Sequence, residues 1–379
     1  MPEYSAPPIR RVAITTGGGD APGLNAVICA VTRASLRRGW DCVGIRDGYD
    51  GLLRPERYPQ GGCVTLTRER VDGIAALGGT ILGSTNKGDP FAFPTPQADG
   101  GMQLRDRSQD VLDALAREGV DALVAVGGDG SLAIAHGLAQ RGLRVVGVPK
   151  TIDNDLDRTA TTFGFDTAVA FATDCIDRLH TTAASHHRVL VVEVMGRYAG
   201  WIALHSGLAG GAHAILLAEL PFDLATVADL VRGRDERGLA YSIVVVAEGA
   251  RQVGGDRMAS VAAHAGHAER LGGIGEQVAT ALAQLTGKDS RCVVLGHLLR
   301  GGSPTAFDRV AALRFGTAAV RALAGGQSGV MVALDGNDVR PVPLAEVAGR
   351  MKVVPLDGDT VATARELGIC LGDRAGGGG

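Results

Sequence analysis

Four short polar runs in this chain combine carboxylates, cations and glycines in patterns suited to phosphate chemistry. The densest is Pro149-Lys150-Thr151-Ile152-Asp153-Asn154-Asp155, which follows the largely apolar residues 143–148. Such an apolar run reads as a buried strand, and open parallel sheets bind ligands at strand C-terminal ends. In extended backbone Asp153 and Asp155 would point one way and Asn154 the other. One carboxylate would then face a reacting hydroxyl and the other a metal or a sugar. An Asx-rich turn between strand and helix is the plainer alternative. The second run, Gly127-Gly128-Asp129-Gly130-Ser131, puts a carboxylate in a glycine turn ahead of a predicted helix. Backbone N–H groups of such a turn hold phosphates while the carboxylate holds Mg²⁺. The alternative is Asp129 as a helix cap, but Ser131 offers a cap of its own. Gly17-Gly18-Gly19-Asp20-Ala21-Pro22-Gly23 and the hydroxyl-rich residues 78–88, with the cation Lys87, complete the set. The first of these is neither GxGxxG nor a Walker A loop, so by itself it reads equally as a structural turn.

Regular elements must carry these runs. Strands are expected at residues 11–16, 41–45, 122–126, 143–148, 188–194, 214–220, 242–247, 292–295 and 329–334. Helices are expected at 24–36, 68–77, 109–117, 132–140, 165–179, 198–208, 224–232, 275–285 and 304–323. Residues 89–103 read as irregular and exposed, 251–270 as an excursion, and the Gly376–Gly379 tail as disordered. Alternating strand and helix means parallel sheets with helices on both faces. The expected class is α/β, with two doubly wound, mainly parallel-sheet, Rossmann-like lobes and the active site in the cleft between them. The polar runs recur at strand C-terminal ends, where such folds bind ligands.

The bulk properties narrow the function. At 379 residues the chain is too long for one ordinary core. Aromatics make up 4% of residues, too few for stacking single-stranded nucleic acid, and the net charge of −3 gives no global case for nucleic acid or membrane. Cys29, Cys42, Cys63, Cys175, Cys292 and Cys370 have no metal-ligand spacing and read as reduced core thiols of a cytoplasmic protein. The first eleven residues hold no apolar signal segment and no run approaches a membrane span. His264 and His267 are spaced i, i+3 without a carboxylate or cysteine partner, so they make no metal site; His186 and His187 read as structural.

Taken together, the motifs resemble the 6-phosphofructokinase family, in its bacterial, ATP-dependent or mixed-substrate branch. They are GGGDAPGLNAV (17–27), GGTILGS (78–84), GGDGS (127–131), PKTIDND (149–155), VVEVMGRYAGW (191–201), AEG (247–249) and LGHLLRGGSPTAFDR (295–309). The resemblance runs from about residue 11 to 334. It implies a phosphoryl-donor (ATP) lobe of residues 1–163 and 299–350, and a sugar-phosphate lobe of 164–298 and 351–379. Asp153 matches the general base, with Arg197 and Thr151 also catalytic. Gly18, Gly19, Tyr49, Asn86, Lys87, Gly128, Asp129, Gly130 and Ser131 match donor positions, with Asp129 holding Mg²⁺. Thr151, Asp155, Met195, Gly196, Arg197, Glu248, His297 and Arg300 match sugar-phosphate positions. Arg188 and Arg291 match arginines that reach in from a neighbouring subunit, which implies a homodimer or homotetramer.

The family divides by donor, and two positions disagree. Gly130 is the ATP type, where an aspartate would fill the space of the α-phosphate and repel it. Lys150 is the pyrophosphate type. Gly130 carries more weight, since a flexible lysine blocks nothing and can pair with a donor phosphate. Asn86 stands where many ATP enzymes have arginine. Arg33, Arg68 and Arg237 match cations of the bacterial effector site, but Cys29, His180 and Leu239 replace others, so weak or absent allostery is expected. Pyrophosphate-dependent transfer is the near alternative, and a non-catalytic metabolite-binding subunit the distant one. NAD kinases and lipid kinases share GGDG but lack the PKTIDND and LGHLLRGG pieces.

Overall fold

A computed structural model describes residues 8–97, 101–261 and 270–373. The chain folds as two compact units. The first comprises the described residues up to Thr151 with Leu156–Gly164 and Arg300–Met351; the second comprises Ile152–Asp155, Phe165–Leu299 and the described residues from Lys352 on.

The first unit is built on a seven-stranded sheet. From edge to edge its strands are Asp338–Pro343, Val330–Asp335, Val145–Pro149, Ala122–Gly127, Arg11–Thr16, Asp41–Ile45 and Cys63–Thr65. The five inner strands run parallel and the two edges antiparallel. Side chains alternate between faces along each inner strand. Val12, Ile14, Val124, Val126, Val146 and Val148 enter a core under the helices Leu24–Leu36 and Ala306–Ala324. Ala13, Leu123, Ala125 and Val145 enter another, under Ser108–Arg117 and Asp129–Gln140. Burial on both faces explains why these strands read as continuous apolar runs. Arg11–Thr16 leads on to Asp41–Ile45 on one side, while Ala122–Gly127 pairs with it on the other. The order therefore reverses at Arg11–Thr16, the kind of crevice where doubly wound sheets take ligands.

The second unit is built on a four-stranded parallel sheet in the order Ser290–Val294, Val189–Val194, Ser242–Ala247, Ala214–Leu216. Leu224–Glu236 and Ile274–Thr286 cover one face through Val227, Val231, Val278 and Leu282. Within the strand Val189–Val194, Glu193 is only 3% exposed. Its carboxylate accepts from the N–H groups of Gly273 (3.2 Å) and Gly275 (2.7 Å) at the start of Ile274–Thr286. It thus satisfies orphan donors where the helix dipole is positive.

Several expectations are corrected. The helix expected over 68–77 is broken by Gly73, at φ 80°, into Arg68–Val71 and a 3₁₀ turn Ile74–Ala76. The helix expected from Leu132 starts at Asp129 with Gly128 as its cap, so Ser131 caps nothing. The helix expected to stop at 179 runs over Phe165–His186; Ser185 Oγ bonds back to the Thr181 carbonyl (2.8 Å) instead of ending it. The helix expected from 198 starts at Trp201, because Gly196 (φ 143°) and Arg197 (φ 50°) hold the chain outside helical space. The strand expected over 214–220 covers Ala214–Leu216 alone. Residues 89–103 were expected to be irregular, but Phe93–Pro96 pairs antiparallel with Met102–Arg105, an edge hairpin that tolerates Pro94 and Pro96. The strand Asp338–Pro343 and the helix Asp359–Glu366 were not foreseen. All six cysteines are free; Cys29 and Cys42 are buried in a core cluster, Cys63, Cys292 and Cys370 are partly buried against one, and Cys175 is part-exposed. His264, His267 and the Gly376–Gly379 tail lie outside the described residues, as does much of the excursion. Among the described residues no helix is long and apolar enough to cross a membrane.

Replacing Glu193 by Gln should cost about 1–3 kcal/mol, the worth of charged hydrogen bonds to otherwise orphaned donors. The check is a lower chemical-denaturation midpoint against the parent chain.

Candidate active site

In the first unit three loops converge at the carboxyl ends of neighbouring strands. The loop after Arg11–Thr16 is fixed by Gly17 N–H on the Val126 carbonyl and Gly18 N–H on the Thr85 carbonyl, both 2.9 Å. Ser84 Oγ donates to the Gly18 carbonyl at 2.6 Å. These bonds join the Gly17 loop, the 83–87 loop and the turn after Ala122–Gly127. No side chain fits where they meet: a Cβ on Gly17 would lie 2.7 Å from Ser131 Oγ, and one on Gly127 2.3 Å from Ser131 Cβ. Gly18 has φ 79°. The expected donor residues Gly18, Gly19, Gly128, Asp129, Gly130 and Ser131 are therefore gathered in one place, with exposed Asn86 and Lys87 on the adjoining loop.

Two cations close on the same loop. Lys150, 3% exposed, has its ammonium on the Gly19 carbonyl. Arg300 Nη1 donates to the Asp20 carbonyl at 3.1 Å. Arg300 was expected to join His297 on the sugar phosphate; its guanidinium is found at the glycine loop. Asp129 is exposed in the first turn of its helix, and its Oδ1 accepts from the Gly349 N–H at 2.8 Å. Gly130 opens onto space, with nothing within 4 Å of an added Cβ. Tyr49 departs from expectation. Its side chain is 6% exposed and packs in the core with Leu52, Leu53 and Phe93, and burial pushes its phenol pKa well up.

The second unit collects the expected sugar-side residues by strand direction. Met195, Gly196 and Arg197 leave Val189–Val194, Glu248 leaves Ser242–Ala247 and His297 follows Ser290–Val294. These strands are adjacent and parallel, so all their carboxyl ends share one sheet end. Glu248 Oε1 accepts from the Arg197 N–H at 3.0 Å, fixing the left-handed residue that bears the guanidinium. Gly249 is needed beside it, since a Cβ there would lie 1.8 Å from the Arg197 carbonyl. His297 is exposed on the short 3₁₀ helix Gly296–Arg300.

Arg188 and Arg291 are not brought to that end. They stand at the amino ends of their strands, where Val189 pairs with Ser290. Six residues of strand separate Arg188 from the loop after Val194, roughly 20 Å at about 3.3 Å per residue, and three separate Arg291 from the end of its own strand, roughly 10 Å. They share Asp289, at 2.6 Å from Arg188 and 3.1 Å from Arg291.

The Asp153–Asp155 run is not extended. Asn154 takes φ 52°, so the alternation expected of Asp153 and Asp155 is lost and the run is a tight turn. Asp153 is 5% and Asn154 4% exposed. Thr151, 8% exposed in the first unit, accepts from Thr162 Oγ1 through its carbonyl at 2.7 Å. The sequence reading missed Lys352, whose Nζ donates to Asn154 Oδ1 at 2.9 Å and whose N–H donates to the Asp155 carbonyl at 2.8 Å. It sits beyond the matched motifs, and no spacing rule points to it. At the expected effector positions Arg33 pairs with Asp72, and His180 bonds the Gly210 carbonyl (2.7 Å) and Tyr241 Oη (3.2 Å).

Residues 11–323 match the family described as Phosphofructokinase. A Chloroflexus aggregans protein named ATP-dependent 6-phosphofructokinase is 51% identical over 365 residues, covering 96% of this chain and 98% of its own. An Amycolatopsis mediterranei protein named pyrophosphate–fructose 6-phosphate 1-phosphotransferase is 52% identical over 350 residues, covering 92% of this chain and 97% of its own. The structure of phosphofructokinase from Saccharomyces cerevisiae superposes with a TM-score of 0.74 at 30% identity over 89% of this chain, which spans 45% of that longer one.

The glycines predict a contrast. Gly249→Ala forces a methyl into backbone and should cost more than about 2 kcal/mol. Gly19→Ala meets only the end of the Arg300 side chain, 2.9 Å away, and should cost less than about 1 kcal/mol. Denaturation midpoints of the two variants check this.

Proposed function

The chain belongs to the phosphofructokinase family, and from that premise we propose that it transfers the terminal phosphoryl group of ATP to the C1 hydroxyl of fructose 6-phosphate, giving fructose 1,6-bisphosphate. The first unit is the donor lobe in this reading. Backbone N–H groups of Gly19, Gly128, Gly130 and Ser131 cradle the donor phosphates, a task that needs glycine and a helix N-terminus, while Gly18, its N–H on the Thr85 carbonyl, shapes the loop. Asn86 and Lys87 border them; buried Tyr49 is left out. The second unit is the acceptor lobe. Asp153 accepts the C1 hydroxyl proton as that oxygen attacks, and Arg197 offsets charge on the transferred group. Asp155, Met195, Gly196 and Glu248 line the sugar and His297 takes the 6-phosphate; Thr151 and Arg300 belong to the first unit, where the Arg300 guanidinium stays on the glycine loop.

Asp129 suits a Mg²⁺ that arrives with the donor. Among the described residues no cluster of three ligating side chains stands ready for a metal, and Mg²⁺ on nucleotides commonly takes one or two carboxylates plus phosphate oxygens. Asp129 is exposed, with one oxygen on Gly349. Asp129 would hold the ion, which would supply positive charge beside the donor phosphates.

The open space at Gly130 carries the choice of ATP. Sequence identity does not separate the donors, at 51% to an ATP-named relative and 52% to a pyrophosphate-named one. Lys150 is the residue that argues for pyrophosphate, and its ammonium is held on the Gly19 carbonyl. Turnover of fructose 6-phosphate with Mg²⁺ and either donor, at matched concentrations, tests the reading. ATP turnover is expected, with Gly130→Asp lowering its kcat/KM by about 100-fold or more through like-charge repulsion of the nucleotide. Turnover with pyrophosphate alone would move the weight to Lys150.

The placement of Arg188 and Arg291 supports a homo-oligomer in which each site borrows these arginines from a second copy. An Asp153→Ser chain and an Arg188→Ala/Arg291→Ala chain should each be inactive alone. Mixed and reassembled, they should regain about a quarter of the parent activity, from hybrid sites that hold one intact set. Activity that stays at zero in verified hybrids would put the arginines in their own subunit's function or outside the site.

A further inference from the structure

The turn bearing Asp153 depends on an unusual backbone. Asn154 sits at φ 52° between two aspartates and is 4% exposed. Asn tolerates the left-handed region better than most side chains, yet a buried turn of that kind persists only where its surroundings over-determine it. The surroundings here include Lys352. Its Nζ donates to Asn154 Oδ1 (2.9 Å) and its N–H to the Asp155 carbonyl (2.8 Å), so it grips consecutive residues of the turn. Lys352 is itself held. Its carbonyl accepts from Trp201 Nε1 at 3.1 Å, and its ammonium lies 5.5 Å from the Trp201 ring centroid. Trp201 opens the helix Trp201–Ala209, whose first turn is anchored by Glu219 on the Gly200 N–H (3.0 Å). Glu219 also accepts from the Val354 N–H at 2.8 Å, tying down the segment just after Lys352. The result is a continuous chain of hydrogen bonds from a helix start, through Lys352, to the turn.

We propose that Lys352 is a positioning residue for phosphoryl transfer: by fixing Asn154 and Asp155 it sets the left-handed turn that aims the Asp153 carboxylate. This rests on the reading of Asp153 as general base. A residue that only fastened the C-terminal segment would affect stability without a selective effect on the chemical step. A residue that aims the base lowers kcat, leaves sugar binding, and acts through Asn154.

A double-mutant cycle on the full-length chain tests this. Lys352→Met keeps the stem beside Trp201 and removes the donor; Asn154→Gly keeps the left-handed backbone and removes the acceptor. With fructose 6-phosphate as substrate, K352M should lower kcat about 10- to 100-fold, the scale on which misplaced groups act, with the sugar KM within about 3-fold. Lys352→Arg should recover most of the loss. In the N154G background, K352M should cost less than about 2-fold more, because the partners act as one unit. A kcat for K352M within about 2-fold of the parent, or an undiminished loss in the N154G background, would overturn the proposal. If K352M does not yield folded protein, N154G alone decides: reduced kcat at constant KM supports the coupling and unchanged kcat refutes it. Asp153→Ser is the separate control. Turnover surviving in that variant sinks the base assignment itself, whichever way the cycle falls.

Discussion

The glycine loops of the first unit rest on close packing around one small side chain, that of Ser131. The Gly17 loop and the turn beginning at Gly127 come so close that a Cβ on either would strike Ser131. That approach brings the ends of two neighbouring strands together. It also explains why Ser131 fails as a helix cap. Its side chain fills the space beside the glycines, and the helix begins at Asp129 under Gly128. An exposed carboxylate in the first turn of a helix is then available to a cation while the N–H groups take anions.

Strand direction does the sorting on the other unit. Because Ser290–Val294, Val189–Val194 and Ser242–Ala247 run parallel and adjacent, everything that follows them lands together. Everything that precedes them lands together at the other end. Arg197, Glu248 and His297 belong to the first group and Arg188 to the second, with Arg291 one residue inside Ser290–Val294 near that same end. The shared Asp289 holds the two arginines side by side. Arg188 is part-exposed and Arg291 exposed, and ion pairs of that kind cost little to exchange for another anion.

Much of this was legible in the residues. The inner strands were readable because burial on both faces makes them continuously apolar, and Ser242–Ala247 and Asp41–Ile45 came out at the expected boundaries. The Gly17, Gly127 and Asp153 loops were expected after strands, and each follows one, because glycine and Asx runs break an apolar strand pattern. The failures have physical causes. Helix ends slipped where Ser and Thr bonded to their own helix or where positive φ delayed the start. The strand Asp338–Pro343 was hidden by Pro341 and Pro343, which an edge tolerates. Its turn, Asp335-Gly336-Asn337-Asp338 with Gly336 at φ 55°, carried a Gly-Asn hairpin signal that could have been used. Lys352 could not be found at all, since its meaning lies in a contact with residues far away in the chain.

Positive φ alone does not mark the site. Arg158 and His187 share it with Asn154 and Arg197, and the first two sit outside the loops that gather the polar residues. What separates the second pair is how each is held. Arg197 has its N–H on the Glu248 carboxylate and its carbonyl against Gly249, where no Cβ fits. Asn154 has its side chain on the Lys352 ammonium. In both cases a charged partner distant in sequence clamps a backbone state worth on the order of 1–3 kcal/mol of strain, and charge-assisted hydrogen bonds are of that size. The strain and the clamp nearly cancel, so the loops gain definition rather than stability. Loss of the clamp should therefore be felt in the aim of Asp153 and Arg197 before it is felt in the fold.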